Sequence, residues 1–114
     1  MSKSIRFVRR GVQGRVRQNF NWPGVINSAQ AVVHITAGEV IQGPRTEVGG
    51  IAQDFIYNLG NADVSVSNIS PHFNSHFGGE PGGVEFILHV NWDSPLDVGI
   101  TITVEDQTPV EIQN

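Results

Sequence analysis

The chain contains no cysteine, which removes disulfides, thiolate metal ligands and cysteine nucleophiles together and fits a reducing compartment. Long apolar runs are missing as well. Stretches such as Ala31–Val33 and Phe86–Leu88 end after three residues, far short of the roughly 20 that a membrane helix needs, so no membrane span is expected. Met1-Ser2-Lys3-Ser4-Ile5-Arg6 lacks the apolar core of a secretory signal, and the expected location is cytoplasmic, or outside the cell after release without a classical signal peptide. The sequon-like Asn68-Ile69-Ser70 is then incidental. Helix signals are scarce: no window of about 11 residues keeps apolar positions at i, i+3, i+4 and i+7 without an intervening glycine, proline or β-branched cluster. Neither a Gly-x-Ser-x-Gly elbow nor a phosphate-cradling Gly-Lys-Ser/Thr occurs.

The 114 residues, 39% hydrophobic and 16% charged, suit a single domain, 1–114, with enough apolar material to order its backbone. Strand patterns recur. Ile100-Thr101-Ile102-Thr103-Val104 alternates at period two, which puts Ile100, Ile102 and Val104 on one face. Asp63–Ile69 alternates likewise until the phase slips at Asn68, the mark of a bulge. Val84–Val90 is almost continuously apolar, as in a central strand covered on both faces. Weaker strand signals cover residues 4–18, broken by Gly11 and Gly14, then 31–36, 50–58 and 108–112. Turn chemistry separates them at Asn21-Trp22-Pro23-Gly24, Gln42-Gly43-Pro44-Arg45, Asn58-Leu59-Gly60-Asn61 and Gly78–Gly83. About seven short strands punctuated in this way predict an all-β, antiparallel β-sandwich of jelly-roll or Greek-key type, with a small barrel as the alternative.

Charge is segregated. Residues 1–17 hold six of the seven cations (Lys3, Arg6, Arg9, Arg10, Arg15 and Arg17) and carry a net +6, while residues 18–114, with Arg45 and all eleven acids, carry −10. Opposite fields attract, so this basic strand or arm is expected to be ordered against acidic side chains of the same subunit or a neighbour, and a homo-oligomer is expected. Six cations could also neutralise phosphates. Nucleic acid is nevertheless disfavoured, because the acidic body repels a polyanion and only Phe7 lies among the cations as a stacking platform.

Three groups of residues could carry chemistry. His72, His76 and Glu80 are spaced four and four and have the donor types of a zinc site. On an extended strand, however, His72 and His76 stand about 13 Å apart, so ligation needs a tight loop or help from His34 or His89, and ordinary loop histidines are the expectation. Asp93 with Asp97, and Glu105 with Asp106, suit turn capping better than acid–base work. The third group is Asn19, Asn21 and Trp22 together with Asn91, Trp92 and Asp93, two Asn-Trp turns that join an aromatic face to amides or a carboxylate. Sugar recognition uses this combination, the ring covering the C–H face of a pyranose while polar groups bond its hydroxyls. Of the two, Trp22 is expected to be the more exposed because Pro23-Gly24 follows it at once.

A non-enzymatic, lectin-like carbohydrate-binding module without a cofactor is therefore the first expectation. A structural or assembly subunit, coat- or fibre-like, comes second, and a small metal-dependent enzyme third. Far-ultraviolet circular dichroism is expected to show a β-dominated spectrum, and a helix content above about one third, the ordinary average of soluble domains, would contradict the predicted fold.

Overall fold

The computed structural model describes residues 2–42, 47–48, 51–52, 55–74 and 80–114. These form nine strands: β1 (Lys3–Val12), β2 (Gly14–Asn21), β3 (Val32–Gln42), β4 (Glu47–Val48), β5 (Ile51–Ala52), β6 (Phe55–Tyr57), β7 (Asp63–Asn74), β8 (Glu80–Asn91) and β9 (Leu96–Glu105). Two antiparallel sheets, ordered β1-β9-β3-β6 and β2-β8-β7, face each other, and β4 pairs with β5 separately. The predicted all-β class is what the chain adopts, and among the described residues no helix is long and apolar enough to cross a membrane.

One device links the sheets. β1 runs in the first sheet and β2 in the second, separated by Gln13 alone, and β8 and β9 change sheets through residues 92–95. Because β1 pairs with β9 and β2 with β8, a two-stranded ribbon is folded over at its middle. Gly11 and Gly14 turn the inner corner at φ 67° and 77°, a left-handed conformation that costs other L-residues roughly 1–2 kcal/mol. The pairing register shifts between Arg9 and Val12 at the same place, and the Asp97 carboxylate accepts the Gly11 N–H at 3.1 Å. The two glycines seen in the sequence as breaks are thus the hinge of the sandwich.

Period-two alternation fills the space between the sheets. Val98, Ile100, Ile102 and Val104 of β9 face Val84, Phe86, Leu88 and Val90 of β8, all of them buried. Each such side chain, fully buried, stabilises the fold by about 1.5–3 kcal/mol relative to exposure. β8 lies between β2 and β7, the central position expected for its apolar run, and Ile87 is buried on its outer side too. Residues 22–31 cross one end of the sandwich and insert Ile26, which is wholly buried. On the side where β1 and β2 are edge strands, Phe7 stacks on Phe20 at 5.3 Å, and Phe20 meets Trp22 edge-on at 5.9 Å.

The basic stretch is ordered throughout β1 and β2, and its arginines make two kinds of contact. Among the described residues, Arg17 pairs with Glu85, whereas Arg6, Arg9 and Arg10 lie over the rings of Tyr57, Phe7 and Phe55 at 5.5, 5.3 and 5.2 Å. An exposed cation–ring contact contributes about 0.5–1 kcal/mol, no less than a surface ion pair, so stacking is an adequate substitute.

Three sequence expectations require correction. Residues 108–112 form no strand: β9 ends at Glu105 and has no neighbour beyond it with which they pair. Within Gly78–Gly83, expected as a turn, Pro81, Gly82 and Gly83 belong to β8; Pro81 is tolerated because β2 stops opposite Gly83 and the β7 register is irregular there. Pro71 and His72, expected in a loop, lie in β7, an edge strand that accepts a proline. Gly43-Pro44-Arg45 and Gly78-Gly79 lie outside the described residues.

Gly82 is required for a different reason from the corner glycines. Its carbonyl accepts the Trp22 N–H at 2.8 Å, and a Cβ there would stand 1.5 Å from the Ile26 carbonyl oxygen. Urea denaturation is expected to show that Gly82→Ala costs more than about 3 kcal/mol, beyond the usual range for overpacking. Gly14→Ala, where a Cβ meets nothing within 4 Å, should cost only the roughly 1–2 kcal/mol of its left-handed backbone. Equal losses would refute the close-approach account of Gly82.

Candidate ligand site on the three-stranded sheet

Since Val84, Phe86, Leu88 and Val90 point inward, the alternate residues of β8 (Gly83, Glu85, Ile87, His89 and Asn91) face outward. Their ladder partners on β2 are Asn21, Asn19, Arg17 and Arg15. On β7 the partners are His72, Ser70, Ser67, Ser65 and Asp63. The parity on β7 changes from odd to even because Asn68, at φ 56°, adds one residue between Ser67 and Ser70. That bulge, visible in the sequence as a phase slip, turns His72 outward in place of Pro71.

The three rows bond across the sheet. His72 Nε2 donates to Asn19 Oδ1 at 2.7 Å, and Asn19 Nδ2 donates to Asn21 Oδ1 at 2.9 Å. Asn21 Oδ1 approaches Gly83, where a Cβ would stand 2.8 Å from it. Midway along, Arg17 Nε donates to Glu85 Oε2 at 2.6 Å. Towards the other end, Ser67 Oγ and His89 Nε2 share a half-buried hydrogen bond of 2.7 Å. Shallow hollows adjoin these bonds: one of ≈ 260 Å³ is lined by Arg17, Asn68, Ser70, Glu85, Phe86 and Ile87, and another of ≈ 220 Å³, past the Ser67–His89 bond, is lined by Gly14, Arg15, His89, Val90 and Asn91.

The two Asn-Trp turns occupy opposite ends of this face. Asn21 pairs with Gly83, and Asn91 lies eight residues further along β8, about 27 Å away at ~3.4 Å per residue. Asn19 and Asn21 therefore join His72 and are separated from Asn91, Trp92 and Asp93. The exposure of the tryptophans is the reverse of the sequence expectation: Trp92 is 42% exposed, while Trp22 is half-buried against the core. The Pro23-Gly24 turn folds the chain back, with Val25 and Ile26 N–H groups donating to the Trp22 carbonyl, and so packs Trp22 against Phe20. Trp92 sits on the outside of the ribbon corner, where Gln13 Nε2 reaches its carbonyl at 3.5 Å. It directly follows Asn91, which lines the smaller hollow.

The other chemistry-bearing residues are dispersed. His76 lies outside the described residues, and Glu80 opens β8 opposite Asn74. His34 is bound to Glu105 at 2.9 Å in the other sheet, and His89 lies about 20 Å from the His72 position along β8. Among the described residues no three His, Asp or Glu side chains converge as a metal site. Asp97 is engaged at the corner and Glu105 with His34. Ser67 and His89 stand at the separation that a nucleophile and its base use, yet among the described residues no carboxylate bonds His89 to orient it. Sequence reasoning missed Ser67, Ser70 and Glu85, and took Arg15 only as one cation of the basic stretch and His89 only as a possible metal ligand; these residues are far apart in the chain and become neighbours only through the β2-β8-β7 register. Their one linear trace is alternation with apolar residues.

No family model matches the chain, and neither a curated protein nor a solved structure does.

The different settings of the two tryptophans are measurable. Trp22→Ala is expected to cost about 2–4 kcal/mol, somewhat below the full penalty for a buried aromatic. Trp92→Ala should stay within about 0.5 kcal/mol, as surface substitutions do. Acrylamide quenching of the single-tryptophan variants should find Trp92 the more accessible, and the opposite order would refute this placement.

Proposed function

We propose that the protein is a non-enzymatic binding module that takes a carbohydrate ligand on the outer face of the β2-β8-β7 sheet, at its Trp92 end. The observations that support this reading are the exposed Trp92 and, beginning at the residue before it, a hollow lined by Arg15, His89 and Asn91. The indole offers an apolar wall for the C–H face of a sugar ring. Asn91 offers a donor and an acceptor, Arg15 a fork of donors, and both fit hydroxyl groups. Arg15 and Asn91 belong to paired strands, which fixes their backbone positions, and the His89 ring is held by Ser67, so part of the ordering cost of binding is already met. Asp93 adds an acceptor at the corner. Asn19 and Asn21, bonded to each other and to His72, form a separate polar place at the far end. An orienting carboxylate for His89, which nucleophilic catalysis would use, is not among its bonds to the described residues, and this favours binding over catalysis.

A glycan array followed by fluorescence titration of the Trp22→Phe variant, in which Trp92 is the sole tryptophan, tests the reading. The expected result is a saturable shift in Trp92 emission with the selected sugar. Trp92→Ala and Asn91→Ala should each weaken binding at least about tenfold, or 1.4 kcal/mol, with the melting temperature unchanged. An array without hits, or binding indifferent to Trp92→Ala, would overturn it.

A further inference from the structure

The outer face of the four-stranded sheet gathers rings and cations from its two opposite edges. On β9, Val98, Ile100 and Ile102 are buried inside, so Gly99 and Thr101 face outward, as do their ladder partners Val8 and Arg6 on β1 and Gly38 and Thr36 on β3. The same parity turns Val40 outward, where its Cγ1 lies 2.8 Å from the position of a Cβ at Gly99, and with it the β6 partner Tyr57. β1 and β6 are the edges of this sheet, yet Arg6 lies over the Tyr57 ring at 5.5 Å and Arg10 over the Phe55 ring at 5.2 Å. Two glycines make room for this. A Cβ at Gly38 would stand 3.0 Å from Tyr57 Cδ1, and one at Gly99 would stand 3.1 Å from both Tyr57 Cε1 and Tyr57 Oη, so the ring lies down across β3 and β9. With Arg6 in place Tyr57 is still 49% exposed. Arg6 is itself held, because its Nε donates to Thr101 Oγ1 at 2.8 Å, which leaves its two terminal nitrogens for another acceptor.

From this arrangement we infer that the outer face of the β1-β9-β3-β6 sheet binds single-stranded nucleic acid, a ligand and a face different from those of the sugar site. Tyr57 with Arg6, and Phe55 with Arg10, each make a unit of one ring and one guanidinium. A base stacks on the ring or on the guanidinium plane, and the arginine's remaining N–H groups bond the phosphate. The unit is repeated. Phe55 and Tyr57 stand about 7 Å apart on β6, two residues at ~3.4 Å each, and a single strand likewise repeats base and phosphate, whereas a free nucleotide would fill one unit only. A duplex keeps its bases stacked on one another and has no base face to offer the rings. Charge agrees with this ligand. Among the described residues no carboxylate pairs with Arg6 or Arg10, and the acids on the same outer side are engaged elsewhere, Glu105 with His34 and Asp97 with the Gly11 N–H. Salt screens exposed charges over roughly 10 Å at 0.1 M, so the cations of this face outweigh the more distant acids. In the linear chain Phe7 is the one ring among the cations; the strand order brings two more to them from β6.

Fluorescence anisotropy of labelled oligothymidylate and oligouridylate, titrated with the full chain over a series of salt concentrations, provides the test. Both oligomers are expected to bind, and a DNA duplex of equal length and thymidine monophosphate should bind at least about tenfold more weakly. Arg6→Gln and Arg10→Gln should each weaken binding and reduce the slope of log affinity against log salt by about 0.7, the value of one phosphate contact to a single strand. Tyr57→Ala and Phe55→Ala should each weaken binding about tenfold or more with the slope unchanged, as the loss of one stacked base does. Tyr57→Phe keeps the ring across Gly38 and Gly99 and should bind like the unaltered chain. Circular dichroism and the melting temperature report whether each variant folds, and the two exposed arginines allow the test even where an alanine variant does not. Failure of both oligomers to bind at low salt overturns the inference. So does binding that folded Tyr57→Ala and Phe55→Ala leave intact, binding with a salt slope indifferent to both arginine variants, or an affinity for the duplex or the mononucleotide equal to that for the oligomers.

Discussion

Pairing of one bent strand against another, β1–β2 against β8–β9, sets everything else in place. The ladder is antiparallel on both sides of the corner, so turning the ribbon over brings the apolar faces of β8 and β9 together. Hydrophobic burial then acts on a geometry already restricted by hydrogen bonds. The positive-φ glycines at 11 and 14 make the turn inexpensive for the backbone, and the Asp97 bond to Gly11 holds it. Without the turn, β8 and β9 would expose the alternating valines and isoleucines that now form the core.

The folded ribbon has two outward consequences. Its outer face on the second sheet becomes a rigid polar surface, in which Arg, Asn, Ser, Glu and His side chains from three strands are spaced by the ladder. Its open flank becomes an edge rich in arginine. Charged residues on an edge strand commonly deter unwanted pairing, yet here Arg6, Arg9 and Arg10 are drawn onto aromatic rings.

Local irregularities do much to position the polar groups. The left-handed Asn68 shifts the phase of β7 by one residue, and Gly83 leaves room above the sheet for Asn21. Together they allow His72, Asn19 and Asn21 to bond in series. At the other end, the switch of sheets leaves Trp92 outside the fold. Trp22 belongs to a turn that closes the core, so the same dipeptide Asn-Trp supplies packing in one place and an accessible ring in the other.

Alternation by itself determined the inward face of β9, the central position of β8, the bulge at Asn68 and the breaks at Gly11 and Gly14, because strand periodicity and glycine backbone freedom are local properties that a single chain reveals. Local signals misled where a long-range partner decides. Val110 and Ile112 have strand-like spacing but no neighbour among the described residues to pair with, and Pro81, Gly82 and Gly83 look like a turn yet continue β8 because Trp22 and Ile26 close against Gly82. The basic segment was legible as an ordered strand, while its ring contacts depended on where Tyr57 and Phe55 were brought. Which tryptophan is accessible, and that Arg15, Ser67 and His89 share one end of a sheet, were decided only by the tertiary structure. The reason is physical: exposure and proximity depend on strand register between residues dozens of positions apart, and register is set by which faces become buried, not by the residues' own preferences.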